Sequence, residues 1–340
     1  MNRGWLAKRT EEAIEPELEI VDAHHHLWDY ETRYGLYELD DLRADTNSGH
    51  HIVETVFIDC GANYLTDGLK AMAPVGETIY VAGRAAESDR TDGAPISAIV
   101  SHVDLTLGAA VGEVLDRHIE EAGGRFRGIR HAGARADDPS VPPSRTEPPA
   151  NLYRQASFQT GARALAERGL SFDAWQYHHQ LDAVADLARA VPELTIIVNH
   201  LGGPLGTGRY AGHQAEVYAQ LRFGLAAVAK FDNVVLKVGG IGMTRFGVNW
   251  DQNELPPTSD DVVARWQDTV GFAIETFGPS RCLFESNFPV DGETVGYATL
   301  WNAFKKMSVS YSASERADLF AGTARRVYQL DEGALSAKSG

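Results

Sequence analysis

Three consecutive histidines, His24, His25 and His26, end a strand-like run that begins at residue 19. Side chains alternate along an extended chain, so His24 and His26 project to one side and His25 to the other. Two imidazoles fixed on one surface can present nitrogen to a metal ion or to a reacting carbonyl. A hydrogen-bonded histidine cluster at a strand end uses the same residues. Polar side chains recur where other strand-like runs end: Asp104, Arg130 with His131, His178, His200, Lys237, and Glu285 with Asn287. Histidine titrates nearest neutrality, which makes His200 and His178 the candidate general bases. The fork of Arg130 matches the two oxygens of a substrate carboxylate, and Trp175 and Tyr177 are the candidates for lining the mouth of a pocket. Ordinary uses compete with several of these. Asp104 is a favoured helix N-cap type, Lys237 would be paired if buried, Arg130 could pair with Asp104, and one of the adjacent His178 and His179 could face solvent. His50 and His51 read as solvated residues or cap partners.

The elements that must hold these residues follow from periodicity. Strand-like runs cover residues 54–60, 96–103, 126–131, 170–174, 194–200, 234–238 and 281–287, in addition to the first. Helical spacing of apolar residues marks 107–121, 155–168, 179–190, 213–230, 260–277, 293–308 and 312–328, and a stretch over 63–84 that Pro74 and Gly76 must break. Five prolines between 139 and 149 make 137–149 the most loop-like segment. Eight strands, nearly all followed by a helix, predict an α/β protein of the (β/α)8 barrel type, with a doubly wound open sheet as the competing architecture. The glycine-rich 202–208 lacks the lysine of a phosphate-binding loop and the spacing of a dinucleotide fingerprint, so backbone geometry is its expected role. In a barrel the strand C-termini share one face, where chemistry is expected.

A formal net charge of −16 repels phosphate backbones and anionic membrane surfaces, which leaves a small molecule as the expected partner rather than nucleic acid or membrane. Nothing in the residues argues for or against a homo-oligomer. Cys60 and Cys282 lie in apolar runs and read as buried thiols in a reducing compartment. No run has the length of a signal peptide's apolar region or of a membrane span, and a cytoplasmic protein is expected. The expected organisation is an N-terminal extension over 1–18, a single barrel over 19–330 and a tail over 331–340.

With these residues assembled, the chain resembles the amidohydrolase superfamily, in its amidohydrolase-2 branch of sugar lactonases and pyrone dicarboxylate hydrolase. The matches are 21–28 for the first-strand His-x-His, 127–130, 171–173 with Gln180 and Leu181, 198–204, Leu236 and Lys237 leading to a glycine, and 284–290. The resemblance implies a distorted (β/α)8 barrel that hydrolyses a C–O bond in a lactone or ester, or less often a C–N bond. It implies either one divalent ion, usually zinc, held by His24, His26 and His200 with the eighth-strand acid, or no metal, with the same histidines polarising the carbonyl directly.

One departure stands out. Where the family carries its eighth-strand aspartate, this chain has Asn287, an amide with no useful basicity and little strength as a ligand. Glu285, two residues earlier, lies on the same side of an extended strand and is expected to reach His24, His26 or Lys237, with Asn287 orienting water or substrate. The expected activity is therefore addition of water to a small carboxylated or cyclic ester or lactone, with His200 or His178 as base, Arg130 on a substrate carboxylate, and Asp104 and Lys237 among the binding residues. The alternatives are nonoxidative decarboxylation of an aromatic acid and a non-catalytic binder that lost the strand-8 acid.

Overall fold

The computed structural model describes residues 1–141 and 145–330. Pro142 and Pro143 of the proline-rich loop and the tail expected over 331–340 lie outside the described residues. Eight parallel strands run in sequence order around one sheet: β1 (Glu19–His25), β2 (His51–Ile58), β3 (Ile96–Ser101), β4 (Phe126–Arg130), β5 (Ser171–Ala174), β6 (Ile196–Val198), β7 (Val234–Val238) and β8 (Cys282–Phe284). The circle closes beyond the last strand, where Asn287 N donates to His24 O at 2.9 Å and His26 N to Phe288 O at 2.8 Å. This is the expected (β/α)8 barrel, nearly closed.

Each strand's alternation divides the apolar residues into two layers. Ile20, Phe57, Ile99, Phe172, Leu236 and Phe284 face outward into the core shared with the helices. Val21, Ala23, Val56, Ile58, Ala98, Val100, Ile197, Val235 and Leu283 face inward. The barrel's lower end is plugged from the C-terminal side of the chain, where Ala321, Ala324 and Tyr328 join that inner layer.

The helical stretch read over 63–84 begins later than its apolar spacing suggests. Pro74 is the N-cap of a helix over Val75–Ser88, and Leu65 and Leu69 precede it with 43% and 71% of their surface exposed. Gly76 lies within the first turn rather than breaking it, and a Cβ there would stand 2.2 Å from Asn63 O, so close backbone approach accounts for the glycine. The last helical stretch is broken into Ala313–Ala317, a wide turn over Asp318–Gly322, and Thr323–Tyr328. In the glycine-rich loop, a Cβ at Gly203 would lie 2.2 Å from Gln176 O, which accounts for that residue by close backbone approach. The N-terminal extension is strapped to the barrel: Trp5 Nε1 donates to Asn253 O at 3.0 Å, and the buried Lys305 donates to Ile14 O at 2.8 Å. Among the described residues no helix is long and apolar enough to cross a membrane.

Candidate active site

The upper barrel is built by two local departures from regular strand and one continuation of it. In β1, Val21 and Ala23 face inward, so strict alternation would send His24 outward with Asp22. A register shift against β2 between Asp22 and His25 reverses the parity. His24 and His26 then point inward with ring centroids 4.9 Å apart, while His25 lies outward against Phe57. Asp22 stays outside, where it accepts from Ser286 N at 2.9 Å and from the Tyr297 hydroxyl at 2.9 Å and so ties β1 to the segment after β8. On that segment alternation holds, with Leu283, Glu285 and Asn287 all facing in. Gly239 makes this possible, since a Cβ there would meet Glu285 Cγ at 2.2 Å. The second departure is the left-handed backbone of His200 at φ 52°, which turns its ring beside His24 with 4.7 Å between centroids.

One carboxylate links these elements. Glu285 Oε1 lies 2.7 Å from His200 Nδ1, and Oε2 lies 2.7 Å from His24 Nδ1. A carboxylate only accepts, so the proton of the first contact sits on Nδ1 of His200 and Nε2 keeps its lone pair. His26 Nδ1 donates to Ile58 O at 2.8 Å, which likewise leaves Nε2 of His26 as an acceptor. Below them, Lys237 Nζ lies 3.3 Å from His24 Nδ1 and 2.7 Å from Asp173 Oδ1, and Asp173 also accepts from Asn199 at 2.8 Å and from the Tyr328 hydroxyl at 3.1 Å. Burial, reinforced by the Lys237 ammonium, drives the pKa of His24 well below the ordinary histidine range. Burial with Arg130 does the same for His26. For His200 burial lowers the value against the upward pull of Glu285. These shifts favour the neutral form of each of the three rings.

A cavity of about 360 Å³ opens above this cluster. His26, His200, Asn287 and Arg130 form its floor and Trp175 part of its wall, whereas His24, Glu285 and Lys237 lie just beneath. Asn287 has left-handed backbone at φ 54°, a conformation asparagine tolerates, and its Nδ2 donates to the buried Asp291 at 2.8 Å. Trp175 meets His200 edge to face at 4.7 Å. Other candidates are placed elsewhere. Tyr177 is buried behind the wall, where its hydroxyl accepts from Arg245 at 2.8 Å. Asp104 caps the turn over Leu105–Ala110 by accepting from Thr106 N at 3.0 Å, the ordinary use of such a residue. His178 packs against Tyr210 away from the cavity, and its Nδ1 accepts from Leu205 N at 3.4 Å, because the chain turns after β5. Arg130 reaches the floor already engaged, with Nη1 3.3 Å from His24 Nε2, Nη2 donating to Asp59 O, and Nε 3.6 Å from Asp59 Oδ2.

Asp59 and Arg145 are absent from the residues singled out by sequence, yet Arg145 borders the cavity beside Arg130 and Asp59 lies behind them, paired with both. Asp59 directly follows the last residue of β2, but the strand-like run read over 54–60 enclosed it and so hid its place at the rim. Arg145 gave no signal, being one of many arginines in a loop. Asp59 pairs with Arg145, accepts from the Tyr64 hydroxyl at 3.1 Å, and neighbours Glu77, whose Oε1 accepts from Cys60 N at 3.0 Å and Ala62 N at 2.7 Å. Cys60 and Cys282 are both buried and free, as expected, although Cys60 also borders the cavity.

The donors of His24, His200 and Glu285 lie within 4.8 Å of one another. Glu285 Oε2 is buried without a hydrogen-bond donor in line. Two neutral imidazoles and a carboxylate oxygen in want of a partner fit a divalent ion. His26, expected among the ligands, stands outside this trio with its Nδ1 committed to Ile58.

A family model described as amidohydrolase matches residues 21–330. The y4mH protein of Sinorhizobium fredii is 31% identical over 92% of this chain and 99% of its own length. An L-fucono-1,5-lactonase of Burkholderia multivorans is 24% identical over 92% of this chain and 96% of its own. Among solved structures, a zinc-bound amidohydrolase from Burkholderia multivorans superposes with a TM-score of 0.69 at 21% identity, covering 91% of this chain and 99% of that one. The fold agrees, and lactonase names among the relatives support hydrolase activity in the family.

Proposed function

The chain belongs to the amidohydrolase family, and on that footing we propose that it hydrolyses the C–O bond of a small carboxylated lactone or ester. The observation that carries this reading is His200 on the cavity floor, its Nδ1 held 2.7 Å from the buried carboxylate of Glu285. Glu285 thereby fixes the tautomer in which Nε2 accepts a proton, the role of the acid in a base-orienting pair. Water gives one proton to His200 Nε2 as its oxygen bonds to the carbonyl carbon. The carbon–oxygen bond to the alkoxide then breaks, and His200 returns the proton to that alkoxide, releasing a hydroxy acid from a lactone. Arg130 and the Asn287 amide border the same floor and supply positive charge and a donor for the developing oxyanion. His26 Nε2 accepts from a substrate hydroxyl or from the attacking water. Asn287 itself takes no proton.

His24, His200 and Glu285 are the residues that would hold a divalent ion, which when bound supplies Lewis-acid polarisation of the carbonyl. His200 cannot ligate through Nδ1 and donate from Nδ1 to Glu285 at once. The Lys237 ammonium and the Arg130 guanidinium already flank His24, each 3.3 Å from one of its ring nitrogens. That electrostatic setting favours the base role for His200. Two assays test the reading. Acid release from a panel of sugar lactones and aryl esters is expected from the wild type, with activity surviving chelation. Loss on chelation and recovery with stoichiometric zinc would move His200 from base to ligand, and no turnover across the panel would overturn the hydrolase reading.

A further inference from the structure

Four arginines border the cavity, Arg33, Arg130, Arg145 and Arg245, and no acidic side chain does among the described residues. In a chain of formal net charge −16, guanidinium groups gathered on one concave surface focus a positive potential there. Most of these groups are committed. Arg130 spends its fork on Asp59 and His24, Arg245 donates to the Tyr177 hydroxyl at 2.8 Å, and Arg33 pairs with Glu293 at 2.8 Å. Arg33 is more exposed than Arg145, 52% against 40%, but its partner Glu293 is itself 18% exposed, whereas Arg145 is anchored on a buried carboxylate. Its Nη2 pairs with Asp59, its Nη1 reaches the Tyr64 hydroxyl only at 3.5 Å, and its side chain is 40% exposed.

The seat of Arg145 is built for a guanidinium. Asp59 is 1% exposed and anchors it from below. Gly61 has left-handed backbone at φ 80°, and a Cβ there would stand 2.3 Å from Arg145 Nη1. A side chain at position 61 would therefore push the guanidinium off the end of β2. Two guanidinium groups share the Asp59 carboxylate, which leaves one net positive charge on that wall.

We propose that Arg145 is the specificity-determining residue that binds a carboxylate of the substrate, and that Asp59 is the positioning residue that holds its plane. The substrate's identity as an ester or lactone rests on the hydrolase reading above, whereas the anion site does not. A carboxylate entering the cavity forms a forked pair with Arg145, which Asp59 keeps from rotating away. Arg130 stays below, on the side of the reacting carbonyl.

Citrate is the probe, measured by equilibrium titration calorimetry at low salt. The wild type is expected to bind it, Arg145→Gln to bind it at least tenfold more weakly, and Arg145→Lys, which keeps the charge without the fork, to fall between. Arg222→Gln, on an outer helix, is expected to match the wild type, and circular dichroism verifies that each variant is folded. Wild type that does not bind citrate, or Arg145→Gln that binds it equally well, overturns the proposal. The titration needs no turnover. Failure of the wild type to hydrolyse any lactone or ester removes the hydrolase reading alone, and unchanged citrate affinity in Arg145→Gln removes the anion site alone.

Discussion

Two buried carboxylates in this barrel are each shared between two cationic or potentially cationic side chains, and they do opposite things. Glu285 lies between the imidazoles of His24 and His200, at 2.7 Å from each. Asp59 lies between the guanidinium groups of Arg130 and Arg145. Burial would raise the Asp59 carboxyl, but Arg145 and then Arg130 outweigh it and hold the group well below the usual carboxylate range. Charge on that wall is permanent, because guanidinium does not give up its proton in proteins. Around Glu285 burial takes the pKa of both rings down and favours their neutral forms. A carboxylate beside imidazole can direct a proton, whereas a carboxylate beside guanidinium can only set a charge in place. Under the proposed function and the proposed anion site, bond breaking belongs to one wall and recognition to the other.

The largest effect expected from breaking this division is on the Glu285 side. His200→Asn should lower kcat about a thousandfold with KM nearly unchanged, and Glu285→Gln about a hundredfold, because base catalysis contributes in that range. Steady-state kinetics on a turned-over lactone checks both. Retained activity in His200→Asn would end the contrast between the walls.

On the other wall, Asp59→Asn removes the counter-charge from the nearly buried Arg130 and should cost about 3 kcal/mol of stability, the low end for a broken buried pair because Arg145 keeps contact with water. Urea unfolding measures it. The same wall has a pH signature. Burial, and then the Asp59 charge, pushes Glu77 from its ordinary 4.5 up to about 8. The folded state then keeps a proton that the unfolded chain releases. This contribution is fully present below about pH 4.5 and is lost as pH rises to about 8. At roughly 1.4 kcal/mol per pKa unit, a fall on the order of 5 kcal/mol across that window is expected in the wild type. Glu77→Gln, which copies the protonated shape, should flatten it. Unfolding curves at several pH values separate the two.

The smallest effect sharpens the assignment of the base. His178→Phe should leave kcat within about twofold, against the hundredfold or more that removal of a true base costs. Its stability should stay within about 1 kcal/mol of wild type, since the ring packs against Tyr210 and makes only a long hydrogen bond. A kinetic loss comparable to that of His200→Asn would return His178 to the mechanism.

The one-dimensional pattern was sufficient for the architecture. Eight apolar runs separated by helical periods can bury their surfaces in few ways, and polar residues at the run ends then share one rim. Period-two spacing also placed Glu285 on the side of Asn287, because the alternation of β8 carries on past its last residue and Gly239 leaves room opposite. What needed the folded chain was every place where the backbone leaves the ideal strand. His24 and His26 share a side in any extended chain, but only the register shift beside Ala23 decides that this side is the inside. His200 reaches Glu285 through left-handed backbone that no residue type at that position announces. Arg130 and Arg145 have the same chemistry in the sequence. Which of them remains open to a ligand depends on Asp59, Gly61 and His24, brought together from strands far apart in the chain. Composition and periodicity are local quantities, whereas the commitment of a hydrogen-bond donor depends on all its neighbours in space.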